Sequence, residues 1–112
     1  MRRTLLFLFL FLIGVTGYPQ KLVPAGKRGY SQTSVNTAIF RKNSIVTHNG
    51  FQYIAFYDEN GYLTLGKREL GNTQWTFYLS QYKGNCKDAH NVISIMVDGE
   101  GFLHVALNHH GS

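Results

Sequence analysis

From Ser34 onward, short runs of apolar, aromatic and β-branched residues alternate with clusters of Gly, Asn and Asp. Runs of that length and composition read as strands, and the polar clusters as turns. The predicted strands are Val35 to Phe40, Ser44 to His48, Phe51 to Tyr57, Tyr62 to Arg68, Gln74 to Leu79, Asn91 to Val97 and Phe102 to Asn108. Asn49-Gly50 suits a two-residue hairpin turn, because both residues tolerate positive φ. A polar link is expected from Gln81 to Asp88. No helical period follows the N-terminal apolar run, so the expected class is all-β with antiparallel strands.

Two turns repeat. Asp58-Glu59-Asn60-Gly61-Tyr62-Leu63-Thr64-Leu65 aligns with Asp98-Gly99-Glu100-Gly101-Phe102-Leu103-His104-Val105 at an offset of 40 residues. That is close to the length of one four-stranded propeller blade, about 40–45 residues. The chain therefore reads as the first one to two blades of a β-propeller. So few blades bury too little surface to stand alone, and the expectation is an N-terminal piece of a longer protein.

The first residues follow another pattern. Arg2-Arg3, the apolar run Leu5 to Ile13 and the small residues around Val15-Thr16-Gly17 resemble a secretory signal over 1–17. The run is short for a membrane anchor, which is the competing reading. The expected organisation is signal peptide 1–17, an irregular lead-in 18–33 containing both prolines, and a truncated propeller segment 34–112. It implies a secreted or periplasmic protein with no membrane contact after signal removal.

Composition narrows the partners. The 112 residues carry 11 Lys and Arg against 6 Asp and Glu. Removing Arg2 and Arg3 leaves a mild positive excess suited to an anionic partner. The basic residues are scattered as short pairs rather than gathered in a stripe, which argues against nucleic acid. Cys86 is the single cysteine. It is either a buried apolar filler or a thiol whose partner lies elsewhere.

Pairing the last hairpin brings its polar ends together. If Asp98 to Gly101 form the loop, Val97 faces Phe102 and His90 faces His109. Paired residues hold their Cβ atoms about 4.5–5.5 Å apart. A one-residue bulge would put His110 in place of His109. Both faces of this hairpin look apolar along their middles, as in a sheet packed between two neighbours. On this reading His104 is a core histidine and His48 an exposed one. His90, His109 and His110 with Asp88 permit acid–base chemistry, metal ligation or a polar cap. Their spacing fits no specific metal motif, so no cofactor is expected, although zinc or calcium would find ligands there.

Several stretches resemble the BNR-repeat-containing family of secreted bacterial proteins: Val35 to Arg41, Ala55 to Asp58, Leu65 to Arg68, Tyr82 to Asn85, Asp88-Ala89-His90-Asn91, Ile93 to Gly99 and His109-His110. The most specific part is D-A-H-N followed about twenty residues later by H-H. The resemblance implies a seven-bladed propeller related to ulvan lyases, which cleave a sulfated algal polysaccharide at uronic acids by β-elimination. It makes His90 and either His109 or His110 the catalytic candidates, with a tyrosine and an arginine from later blades. Lys87, Asn91 and Asn108 are the candidate substrate-binding residues, and the partner is an anionic polysaccharide. A fragment lacking the later blades would be inactive. Two departures stand out: Leu107-Asn108 occupies the place where members often have Trp-Asp, and Cys86 replaces an aliphatic or small residue.

Two other functions fit less of the pattern. A non-catalytic carbohydrate-binding or interaction propeller would use Trp75, Tyr62 and Tyr82 as stacking platforms. A sialidase-like hydrolase would show S-x-D-x-G-x-T-W, which neither repeated turn matches.

Overall fold

The computed structural model describes Gly17, residues 20–38 and residues 43–111. The signal-peptide segment therefore lies almost wholly outside the described residues. Among those residues the structure is all-β and holds no helix, and every strand pairing is antiparallel. Strands β1 (Ile45–His48), β2 (Phe51–Tyr57), β3 (Tyr62–Glu69) and β4 (Thr76–Lys83) form a four-stranded meander in that order. Strands β5 (Ser94–Val97) and β6 (Leu103–Ala106) form a second, two-stranded sheet. A four-stranded meander leading into a fresh hairpin is consistent with a fragment of propeller blades.

The β1–β2 turn forms as the sequence predicts. Asn49 and Gly50 take φ values of 46° and 78°, the left-handed geometry that matches the twist of the strands beside them. Four predicted elements differ, the last two strands being shorter than expected, Ser94–Val97 for Asn91 to Val97 and Leu103–Ala106 for Phe102 to Asn108. Val35 begins a turn rather than a strand, closed by the Thr37 N–H donating to Ser34 O at 2.8 Å, while residues 39–42 lie outside the described set. The side chain of Val35 is buried, so its apolar character serves the core and not a sheet. The fifth predicted strand starts two residues later and runs on to Lys83, which shortens the expected polar link from Gln81 to Asp88. Tyr78, Leu79 and Tyr82 are exposed along it, so its composition is that of an edge strand, not a polar loop.

The repeated octapeptides build the same turn bond for bond. In the first, the Asp58 N–H donates to Tyr62 O, the Gly61 N–H donates to Asp58 O, and Asp58 Oδ1 accepts from the Asn60 and Tyr62 amides. In the second, Asp98, Phe102, Gly101 and Glu100 repeat all four contacts. The aspartate side chain stands in for a backbone carbonyl inside the turn. Gly61 and Gly101 supply the positive φ that lets the last loop residue rejoin the ladder.

This geometry corrects the register of the last hairpin. Asp98 pairs with Phe102, so Val97 lies opposite Leu103 and Ser94 opposite Ala106, one residue away from the predicted pairing. A one-residue shift moves one strand's side chains to the other face. Ile95 now shares a face with Leu103 and Val105, packed on the core. Met96 shares the opposite face with His104 and is 56% exposed, so one face of the hairpin is packed and the other open. His104 is consequently not a core residue; its Nε2 lies 2.7 Å from Asp98 Oδ2 on the surface. That contact, ahead of the Phe102 amide bond, lowers the Asp98 pKa. His48, expected to be exposed, is half-buried at the end of β1.

The core between the sheets is Val35, Ala55, Tyr57, Leu63, Cys86, Ile93 and Ile95. Cys86 is a free, buried thiol, matching the filler reading among the described residues. Burial pushes its pKa up, and the Asp58 charge adds to that. Tyr57 is the hub: wholly buried, its hydroxyl donates to Asn91 O at 2.8 Å. Asn36 brackets its backbone, accepting from Tyr57 N and donating to Tyr57 O.

Gly84 closes on the face of that ring. A Cβ there would sit 2.6 Å from Tyr57 Cζ and 2.7 Å from its hydroxyl oxygen. Because the ring is buried and its hydroxyl engaged, it has nowhere to retreat. Gly84→Ala is expected to cost about 1–3 kcal/mol by overpacking. Thermal unfolding will show it as a lower Tm, by roughly 4–8 °C for each kcal/mol.

Candidate functional site

The site lies in the link between β4 and β5 and the segment after β6. Two tight turns fold the link: the Asp88 N–H donates to Asn85 O at 3.3 Å, and the Asn91 N–H donates to Asp88 O at 3.1 Å. Asp88 and His90 thereby leave the surface on the same side. The His90 N–H also donates to Asp88 Oδ1 at 2.9 Å, an Asx turn that fixes the carboxylate.

Asp88 then holds two imidazoles. Its Oδ1 lies 2.7 Å from His90 Nδ1 and its Oδ2 lies 2.7 Å from His110 Nδ1. The rings sit 4.7 Å apart, centroid to centroid, tilted by 34°. Their side chains are 64% and 56% exposed, against 30% for Asp88. The His90 backbone amide, followed by the His110 and His90 ring donors, holds the Asp88 carboxyl far below the usual carboxylate range. An ionised carboxylate only accepts hydrogen bonds, so both histidines must carry a proton on Nδ1. In the neutral ring the basic lone pair is then on Nε2.

Asn91 fixes the second histidine from behind. It is fully buried, donates through Nδ2 to Asn85 O at 3.2 Å and accepts the His110 N–H on Oδ1 at 2.8 Å. Asn108, at φ 51°, turns the chain after β6 and accepts the Asn85 N–H on Oδ1 at 2.7 Å. Both asparagines thus tie the two segments together. Asn91, buried behind the rings, positions His110. Lys87 is exposed beside the cluster.

The structure selects the second histidine of this arrangement. The β5–β6 ladder spans only Ser94–Val97 and Leu103–Ala106, so it is the turn at Asp88, the left-handed Asn108 and the bond from the His110 amide to Asn91 that bring His110 to Asp88. His109 is exposed and stands outside the Asp88 cluster. Asp88 is the member whose importance is clearest in the structure: one carboxylate organises both rings. Its sequence signal was the Asp-x-His spacing, which suits an Asx turn.

The aromatic candidates lie elsewhere. The Arg68 guanidinium lies over Trp75 at 5.2 Å, Trp75 stacks on Phe77 at 6.2 Å, and Lys83 Nζ lies over Tyr62 at 5.2 Å. Tyr82 is 60% exposed on β4.

The family described as BNR repeat-containing family member matches residues 51–112, more than half of the chain. The chain belongs to this family. Comparison with curated proteins yields no match. The BNR repeat match covers both repeated turns and the whole Asp88–His90–His110 cluster, and suggests a propeller-type or sialidase-like protein.

The cluster has a pH signature. Asp88 has a lowered pKa in the folded chain, so its contribution to stability is fully present above the unfolded carboxylate value of about 3.9 and is lost as pH falls through the folded one. Asp88→Asn is expected to melt below the parent protein at neutral pH. The gap should narrow on acidification, as paired melts across an acid series would record. A gap independent of pH would contradict the assignment.

Proposed function

We propose that this chain is part of a secreted β-propeller that cleaves uronate-containing, ulvan-type polysaccharide by β-elimination. The observation that supports it is the pair of exposed imidazoles, His90 and His110, anchored on the single carboxylate of Asp88.

β-Elimination needs a base for the C5 proton, an acid for the C4 oxygen and something to neutralise the uronate carboxylate. The C5–H electron pair becomes the C4–C5 double bond, and the C4–O bond breaks as its oxygen takes a proton. With Nδ1 protonated toward Asp88, a neutral imidazole presents Nε2 as the base. A protonated partner ring donates to the carboxylate or to the leaving oxygen. Asp88 orients both rings and stabilises whichever becomes cationic. Lys87 and the mild positive charge of the chain favour approach of a polyanion. The tyrosine and arginine that the family resemblance implies would come from further blades.

The test is incubation of the intact protein with ulvan and other uronate polymers, following absorbance of the unsaturated product. Absorbance on a uronate polymer is the expected result. Binding without product would favour the carbohydrate-binding propeller, and neither would remove polysaccharide from the reading.

A further inference from the structure

We infer that Asp88, His90 and His110 form a binding site for a borderline divalent cation of the zinc type, with one carboxylate oxygen and the two imidazole Nδ1 atoms as ligands. One donor atom from each residue lies within 4.8 Å of the others. A tetrahedral ion with bonds of about 2.0–2.1 Å needs ligand atoms roughly 3.3–3.5 Å apart. His90 Nδ1 meets Oδ1 and His110 Nδ1 meets Oδ2, so one of the two 2.7 Å spans joins a pair of ligand atoms. It opens as the ion replaces the shared protons, and the other ring turns toward the ligating oxygen.

The donor set selects the metal. Two nitrogens and one oxygen suit Zn²⁺, Co²⁺, Ni²⁺ or Cu²⁺, whereas Ca²⁺ and Mg²⁺ demand oxygen. Electrostatics agree, since the Asp88 carboxylate between the two rings attracts a cation. The site is also built before the ion arrives. Asp88 is set by its two turns and His110 by the Asn91 side chain, so little ordering remains. Three protein ligands leave a fourth position for water.

Loading changes the site chemically without oxidation or reduction. As the metal takes the Nδ1 lone pair of each neutral ring, the Nδ1 proton leaves to solvent and Nε2 is protonated in its place. A loaded site therefore has no Nε2 base. If the lyase reading holds, the metal is an inhibitor that closes the site; binding itself does not depend on that reading.

Binding is measured on the purified intact protein without polysaccharide. Zn²⁺ is titrated in competition with a chromophoric chelator, and Co²⁺ is followed by its visible absorption. The expected result is one ion per chain, with affinity at least tenfold lower in His110→Ala and His90→Gln, since losing a ligand costs no less than the about 10–100-fold of losing an outer-shell partner. His104→Ala removes the other Asp–His pair and should leave the affinity unchanged. Circular dichroism of the metal-free variants separates lost ligation from lost folding. No binding, or binding that both ligand variants retain, would overturn the site. So would binding that depends on His104.

Discussion

Cleavage of a uronate polymer by the intact protein is expected to fall by about 10²–10⁴-fold in His90→Ala and again in His110→Ala, the usual worth of a positioned acid or base. His109→Ala should stay within tenfold of the parent. The contrast follows from the segment after β6, where the left-handed Asn108 and the Asn91 side chain set His110 on Asp88 and leave His109 outside the cluster. It also separates chemistry from folding, because His90 and His110 are more than half exposed and His109 is exposed beside them. Asp88→Asn should lower kcat less than either histidine variant. It keeps an acceptor for the His90 amide but turns an NH₂ group toward one of the rings. The pH profile of kcat should change with it, which a merely structural residue would not do. Equal activity in all four proteins would remove the histidines from the reaction.

Much of this arrangement was readable from residue order, and the parts that were not have specific causes. The 40-residue repeat anticipated two like turns because Asp, Gly and an aromatic at fixed spacing each have a separate task there. Asp58 and Asp98 accept two amides, and Gly61 and Gly101 take positive φ. What the repeat did not reveal was where the ladder restarts. Taking four residues as the loop leaves out the Asp98-to-Phe102 bond, and that one-residue slip moves His104 from core to surface. His110 rather than His109 is set beyond the ladder, by the left-handed Asn108 and the Asn91 side chain. Val35 misled for a different reason: a β-branched residue at a buried turn has the same local signature as one in a strand. The roles of Asn91 and Gly84 were illegible because both are defined by distant partners. Tyr57 is 34 residues from Asn91, and a sequence pattern carries no record of such a contact. The Asn91 side chain is what holds the two histidine-bearing segments together.

That role makes Asn91→Ala the stability change of largest expected effect after any loss at Tyr57. The substitution strands the His110 N–H and removes one of two donors to the Asn85 carbonyl, which keeps the Asp88 N–H. A group left without a partner costs about 1–3 kcal/mol where water does not reach it. The loss should be largest if the loops stay closed and smaller if they open to solvent. Opening would release His110 from Asp88, so the same variant should lose activity and Zn²⁺ affinity together with Tm. Asn91→Asp separates the two effects. It keeps an acceptor for the His110 amide but sets a carboxylate oxygen against Asn85 O, now 3.2 Å from the amide nitrogen. It should therefore be destabilised too, by repulsion and by burial of charge, and should recover as acid protonates the new carboxyl. Tyr57→Phe is the internal reference, since it removes only the hydroxyl that donates to the Asn91 backbone. It should cost no more than about 0.5–1.5 kcal/mol beyond any orphaned-acceptor penalty. If Asn91→Ala melted like the parent protein, the two loops would have to be held by something other than this side chain, and the positions of His90 and His110 would need another explanation.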